Sequence, residues 1–162
     1  MPLLVLAACG DSPTGPRAGI DYMLATANGI ALPAAIDSAP LGPNTNIVRI
    51  TDGAIEFISA DSAVYVRASE LLLRDANGAV LQEAATCESR RVAYMREGSR
   101  VVLHADAFTL PPSQGGSMVP ALDDTLEVSG NTLRRTITSQ LSGTPRPVQL
   151  EYRTGRRSQP LC

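Results

Sequence analysis

From Ile20 onward the chain alternates apolar and polar residues with a period of two, the spacing of side chains on a half-buried strand. Over Ile20 to Ala27 the apolar face is Ile20, Tyr22 and Leu24. Over Leu122 to Ser129 it is Leu122, Leu126 and Val128, opposed by Asp123, Thr125, Glu127 and Ser129. Over Thr132 to Leu141 it is Leu133, Ile137 and Leu141, and over Pro147 to Arg153 it is Val148, Leu150 and Tyr152. Such segments predict antiparallel strands with one wet face.

Turn dipeptides separate these segments. Asn28-Gly29, Asp52-Gly53 and Asn77-Gly78 tolerate the positive φ angles of tight hairpins, and Glu97-Gly98 and Gly130-Asn131 stand in equivalent places. Between them, Ile47 to Ile50, Ala54 to Ser59, Ala63 to Leu73, Val80 to Cys87 and Arg90 to Ala107 read as further strands, with Glu70 to Arg74 open to a helical turn. The prolines of Pro33 to Pro43 and of residues 109 to 120 predict two loops, since proline cannot serve a ladder. The fold class is therefore all-β, a single antiparallel up-and-down meander of about eight strands closing as a β-barrel, with a two-sheet sandwich as the alternative.

Composition narrows the partners. A net charge of -2 over 162 residues gives no electrostatic footprint for nucleic acid. All 14 basic residues are arginine, and pairs such as Arg90-Arg91 and Arg134-Arg135 place neighbours on opposite faces of a strand, so they form no patch. No apolar run approaches the length of a membrane-spanning helix. No paired carboxylates, phosphate-cradling loop or nucleophile elbow is present, so no catalytic residue, metal or cofactor is assigned, and a monomer is expected.

The first residues read differently. An apolar run, Leu3 to Ala8, ends at Cys9 and passes into Gly-Asp-Ser-Pro-Thr-Gly-Pro, a linker composition that offers nothing to pack against. Leu6-Ala7-Ala8-Cys9 resembles the lipobox of bacterial lipoproteins at every position. The resemblance implies cleavage before Cys9, acylation of Cys9 and attachment to a membrane through its acyl chains, several of which on one residue anchor far more firmly than one. It implies the domain plan 1–8 as the C-terminal part of a signal peptide, 9–19 as a flexible linker and 20–162 as one barrel domain. Because only uncharged residues precede Cys9, the true start is expected upstream of Met1. Gly10, rather than Asp, after the cysteine implies the outer membrane of the cell envelope, on its periplasmic face.

The opening strand and turn, with Tyr22, Leu24, Asn28, Gly29, Leu32 and Pro33, followed by a meander ending in "RPVQLEYRTG", is similar to the lipocalin-like lipoproteins of bacterial envelopes. That resemblance implies a small barrel that holds a small, partly apolar ligand. An envelope protein contacted through the loops at 33–43 and 109–120 is the alternative.

With Cys9 assigned to lipid, Cys87 and Cys162 remain as an even pair in an oxidising compartment, read as a disulfide, with two separate thiols as the alternative. His104 and Asp106 share a strand face; a Glu97-Gly98 turn would set Arg91 opposite His104 and Ser89 opposite Asp106. The pair reads as a polar histidine on the surface or in packing, with half of a triad or of a metal site as the less favoured reading. Arg135 is more informative, because it interrupts an apolar face between Leu133 and Ile137, where a guanidinium is costly to desolvate. A Gly130-Asn131 turn puts Leu126 opposite Arg135 and makes Asp124 its diagonal neighbour. Arg135 and Asp124 are either an ion pair tying two strands or the polar anchor of a ligand cavity.

Overall fold

A computed structural model describes residues 16–109, 116 and 118–156. Among the described residues there is no helix, and the strands run β1 (Asp21–Ala27), β2 (Ile30–Ala31), β3 (Ala34–Leu41), β4 (Asn44–Phe57), β5 (Ser62–Arg74) and β6 (Val80–Glu97). They continue as β7 (Arg100–Ala105), β8 (Phe108–Thr109), β9 (Met118–Val119), β10 (Leu122–Ser129), β11 (Thr132–Ser139) and β12 (Arg146–Gly155). The main sheet has the order β2-β1-β12-β11-β10-β7-β6-β5-β4-β3, and a pairing of β1 with β4 closes it. The result is an eight-strand antiparallel barrel with extra strands, in which every stave neighbours the next in sequence. Closure satisfies the backbone of both terminal staves, which an open meander would leave as bare edges.

Hairpin geometry sets the register. Asn28 (φ 51°) and Gly29 (φ 75°) make the left-handed turn that the Asn-Gly pair favours. Across Gly130-Asn131 the pairs are Glu127 with Arg134, Val128 with Leu133 and Ser129 with Thr132. Two turns differ from expectation. Glu97 pairs with Arg100, so the turn is Gly98-Ser99 rather than Glu97-Gly98, because Gly98 (φ 61°) takes the left-handed position. Asp52-Gly53 is no turn at all. The strand runs through it with a bulge between Ile50 and Asp52, and Gly53 lets Leu24 approach, since a Cβ there would meet Leu24 Cδ2 at 3.2 Å. The expected loop 33–43 is largely the edge strand β3, which tolerates Pro40 at an edge. Likewise the 109–120 connection carries the short β8–β9 ladder at its two ends. Glu70 to Arg74 is strand, not helical turn.

The two barrel ends differ. The N-terminal entry, the end of β12 and the turns at 58–61, 98–99 and 130–131 gather at one end, as the pairing of Asp21 with Glu56 and Gly155 and the bond from Thr154 N to Asn131 O require. We call it the proximal end. At the distal end, β3 and the long halves of β4, β5 and β6 run on past the barrel, since β7 pairs with β6 only over Ala93–Glu97. The core is the lumen. All four tyrosines and Phe57 are buried, with Leu103, Leu126, Leu133 and Leu150 among them. A sequence with so few aromatics uses nearly all of them to fill the interior.

Candidate functional site

Alternation along β11 turns Leu133, Arg135 and Ile137 inward while Arg134 faces solvent. The Gly130-Asn131 register then sets Asp124 diagonally across from Arg135, and the two form a salt bridge with side chains 6% and 16% exposed. The Arg135 guanidinium lies 4.7 Å above the ring of Tyr65. Since β5 and β11 are not neighbours in the sheet, this cation–π contact crosses the lumen. Tyr152 of β12, directly paired with Leu133, completes the group from a fourth stave.

The hydrogen bonding of this group is incomplete. Arg135 Nε meets Asp124 as an ion pair without the alignment of a hydrogen bond, and Arg135 Nη1, Tyr65 OH and Tyr152 OH are buried with no acceptor among the described residues. Burial works against the charge on Arg135, but Tyr65, Tyr152 and Asp124 more than offset it, raising its pKa so that it stays protonated. Burial also pushes the Tyr152 hydroxyl well up, against the smaller opposing effect of Arg135, so it remains a neutral donor. Groups of this kind cost free energy when left unpaired in an apolar interior.

The surroundings are asymmetric. Toward the proximal end, Tyr22, Phe57 and Tyr94 stack edge to face (5.8 and 4.8 Å between centroids), and Tyr94 OH donates to Ser59 O at 2.9 Å, forming a floor. Toward the distal end, Ile36, Ala105, Leu122 and Ile137 are only partly buried and line an apolar rim. Two polar clasps hold that rim. Asp37, 5% exposed, accepts from Ser139 Oγ at 2.8 Å and from Ser142 N at 3.3 Å. Burial pushes its carboxyl up, and these bonds with that from Ser38 N outweigh it, leaving the pKa below its ordinary value. Arg90, also buried, donates to the carbonyls of Pro120 (2.7 Å), Ala105 (3.1 Å) and Asp106, with Phe108 5.4 Å above its guanidinium.

His104 lies on the outer face, directly opposite Ala93 and not Arg91, because the Gly98-Ser99 turn shifts the register by two. By the same shift Ser89 does not stand opposite Asp106. The His104 ring bridges Asp123 (Nδ1, 2.6 Å) and Asp106 (Nε2, 3.3 Å), and it remains half exposed. The hydrogen bond to Asp123, then its charge, raises the His104 pKa. No group of three or more His, Cys, Asp or Glu among the described residues is placed to hold a metal. Cys87 sits on β6 opposite Ala68, whereas Cys9 and Cys162 lie outside the described residues.

A cleft of about 990 Å³ runs over β10, β11 and β12, and Arg135 and Asp124 are among the residues that line it. Its outward charges alternate in one cross-strand row, Arg100 opposite Glu127, Glu127 opposite Arg134 and Arg134 opposite Glu151, the last pair joined in a salt bridge at 3.3 Å. Unlike the interior group, that row is solvated.

Alternation marked Arg135, Asp124 and Tyr152 in the sequence as facing inward, but Tyr65 and Arg90 fell in the segment where bulges blur the period, and Asp37 in a stretch read as loop. The Asp37 clasp joins residues 102 positions apart, which no local pattern signals. No protein-family model, no curated protein and no solved structure matches this chain.

Proposed function

We propose that this chain is a lipid-anchored protein of a bacterial envelope whose barrel binds a small, partly apolar ligand, with its polar end at Arg135 and Asp124. The observation that carries the reading is the buried Arg135–Asp124 pair, which also lines a cleft of about 990 Å³, room for a small ligand. The closed aromatic floor and the half-buried apolar rim support entry from the distal end. Anchoring rests on the lipobox resemblance of Leu6-Ala7-Ala8-Cys9, with the periplasmic face of the outer membrane as the location. The seven residue-to-residue steps from Cys9 to Pro16 can span at most about 25 Å. The anchor would thus hold the proximal end toward the bilayer and turn the rim away from it. A Cys87–Cys162 disulfide belongs to the same proposal. No catalytic step is assigned.

Solvent extraction of the gently purified full chain tests the ligand reading. A stoichiometric small molecule released from wild type and absent from Arg135→Met supports it, and empty wild-type protein counts against it. The second reading, docking of an envelope protein at the distal end, is favoured by the exposure there of Phe108 (46%) and Met118 (73%).

A further inference from the structure

The ladder between β10 and β11 is short. It ends at the pair of Glu127 with Arg134, and Leu126 and Arg135, next in register, are not paired. Yet β10 continues along β7 as far as Leu122, and β11 along β12 as far as Ser139. Five residues of each strand, 122–126 and 135–139, thus run past the ladder and leave a seam in the barrel wall. Val128 N donates to Ser99 O on the β7 side, and Asn131 O accepts from Thr154 N on the β12 side, so by alternation Thr125 and Thr136 turn their N–H and C=O groups to the seam. The β10 edge is closed off, because Thr125 N donates to Asp124 Oδ1 at 2.8 Å and Asp124 is tied to Arg135. On β11 the backbone groups of Thr136 and Thr138 meet no ladder partner across the seam among the described residues. The cleft of about 990 Å³ lies over this seam, lined by Asp124 and Thr125 from one edge and by Arg135 and Thr136 from the other.

We infer that the seam takes an extended peptide segment of about five residues and no net charge, which adds as a strand to the β11 edge. This rests on the ligand-binding reading of the Arg135–Asp124 cleft and specifies the ligand's class. A bare ladder edge recognises the alternating N–H and C=O groups of extended backbone, and the side chains then set the preference. The length follows from the seam, five residues at about 3.4 Å each. The charge follows from the lining, where Arg100, Arg134 and Arg135 balance Asp124, Glu127 and Glu151. The side chains follow from the wall. Inward positions of the added strand lie over Leu126 (0% exposed) and Arg135 (7%), where the interior is packed, so they must be alanine or glycine. Outward positions stand beside the exposed Thr125 and Thr136 and admit threonine or valine.

The test uses the folded full chain and the peptide Thr-Ala-Val-Ala-Thr-amide with fluorescein on its N-terminus, followed by fluorescence anisotropy. Wild type should bind it saturably. The same peptide N-methylated at both alanines and at valine cannot complete a ladder, and it should bind at least about tenfold more weakly, the size expected for one lost hydrogen bond. Thr136→Pro removes an N–H that faces the seam and that the fold does not use, so the variant should keep the wild-type circular dichroism and lose binding by a similar factor. Binding that survives N-methylation overturns the strand-addition mode, and binding that survives in folded Thr136→Pro overturns the seam as its place. Absence of saturable binding to wild type overturns the peptide class. In that case a small molecule released from wild type by solvent extraction leaves the ligand-binding reading standing, and an empty extract removes both.

Discussion

Arg135 and Asp124 stand on adjacent strands, diagonally across the β10–β11 hairpin, and meet inside the barrel as an ion pair. The hairpin turn alone brings them together, so a local feature of the chain places a charge pair in a lumen otherwise walled by leucine and tyrosine. Such a pair is weak evidence for stability, yet removing one partner strands the other in low dielectric.

Asp124→Ala should therefore destabilise the protein by about 3 kcal/mol, and Arg135→Met by a similar amount. The double replacement Arg135→Met with Asp124→Leu should recover most of that loss. Urea unfolding of the four proteins measures the coupling. Additive losses in the double variant would show that the two charges do not act as a pair.

Arg90 clamps the connection between β7 and β10 through three backbone carbonyls. Arg90→Met should cost about 2 kcal/mol, the value of a bond set involving a charged donor. Amide exchange at Ala105 to Phe108 and at Met118 to Ala121 should speed up while the proximal half of the barrel keeps its protection. Arg90→Lys should not rescue it, since one ammonium cannot reach carbonyls so spread.

The histidine gives a pH signature. His104 is held between Asp123 and Asp106, which raises its pKa, so the folded state favours the imidazolium. The stabilisation from this site is complete below the unfolded value near pH 6.5 and disappears as pH rises through the higher folded value. NMR titration of the single histidine should give a midpoint above 6.5, and Asp123→Asn should lower it. A midpoint insensitive to that substitution would contradict the bridge.

Cys87 and Cys162 are some 75 residues apart, and a bridge closing that loop is worth about 4 kcal/mol in the chain-entropy model. Non-reducing peptide mapping of protein made in an oxidising compartment should recover the linked pair, with Cys87→Ser unfolding at lower urea. Two alkylatable thiols would end this expectation.

How much of this was readable in the chain depended on the range of the forces involved. Clean alternation and one tight turn sufficed to place Arg135, Asp124 and Tyr152 on the lumen face of β10 to β12. The same logic failed at Asp52-Gly53, where a dipeptide with turn chemistry is spent on a bulge and on the approach of Leu24. It failed again at β3, where edge pairing and the Asp37 clasp to Ser139 override a proline-rich composition. Tyr65 reaches Arg135 across the lumen, and that partnership exists only after closure.

Native mass spectrometry of the full natural gene product, extracted from an envelope in mild detergent, tests the whole account most directly. The account predicts a chain beginning at an acylated Cys9 that retains one small, partly apolar molecule, with the retained mass lost in Arg135→Met and the acyl mass lost in Cys9→Ser. A chain still carrying Met1 and no acyl group, or a wild-type barrel that retains no small molecule at all, would contradict it.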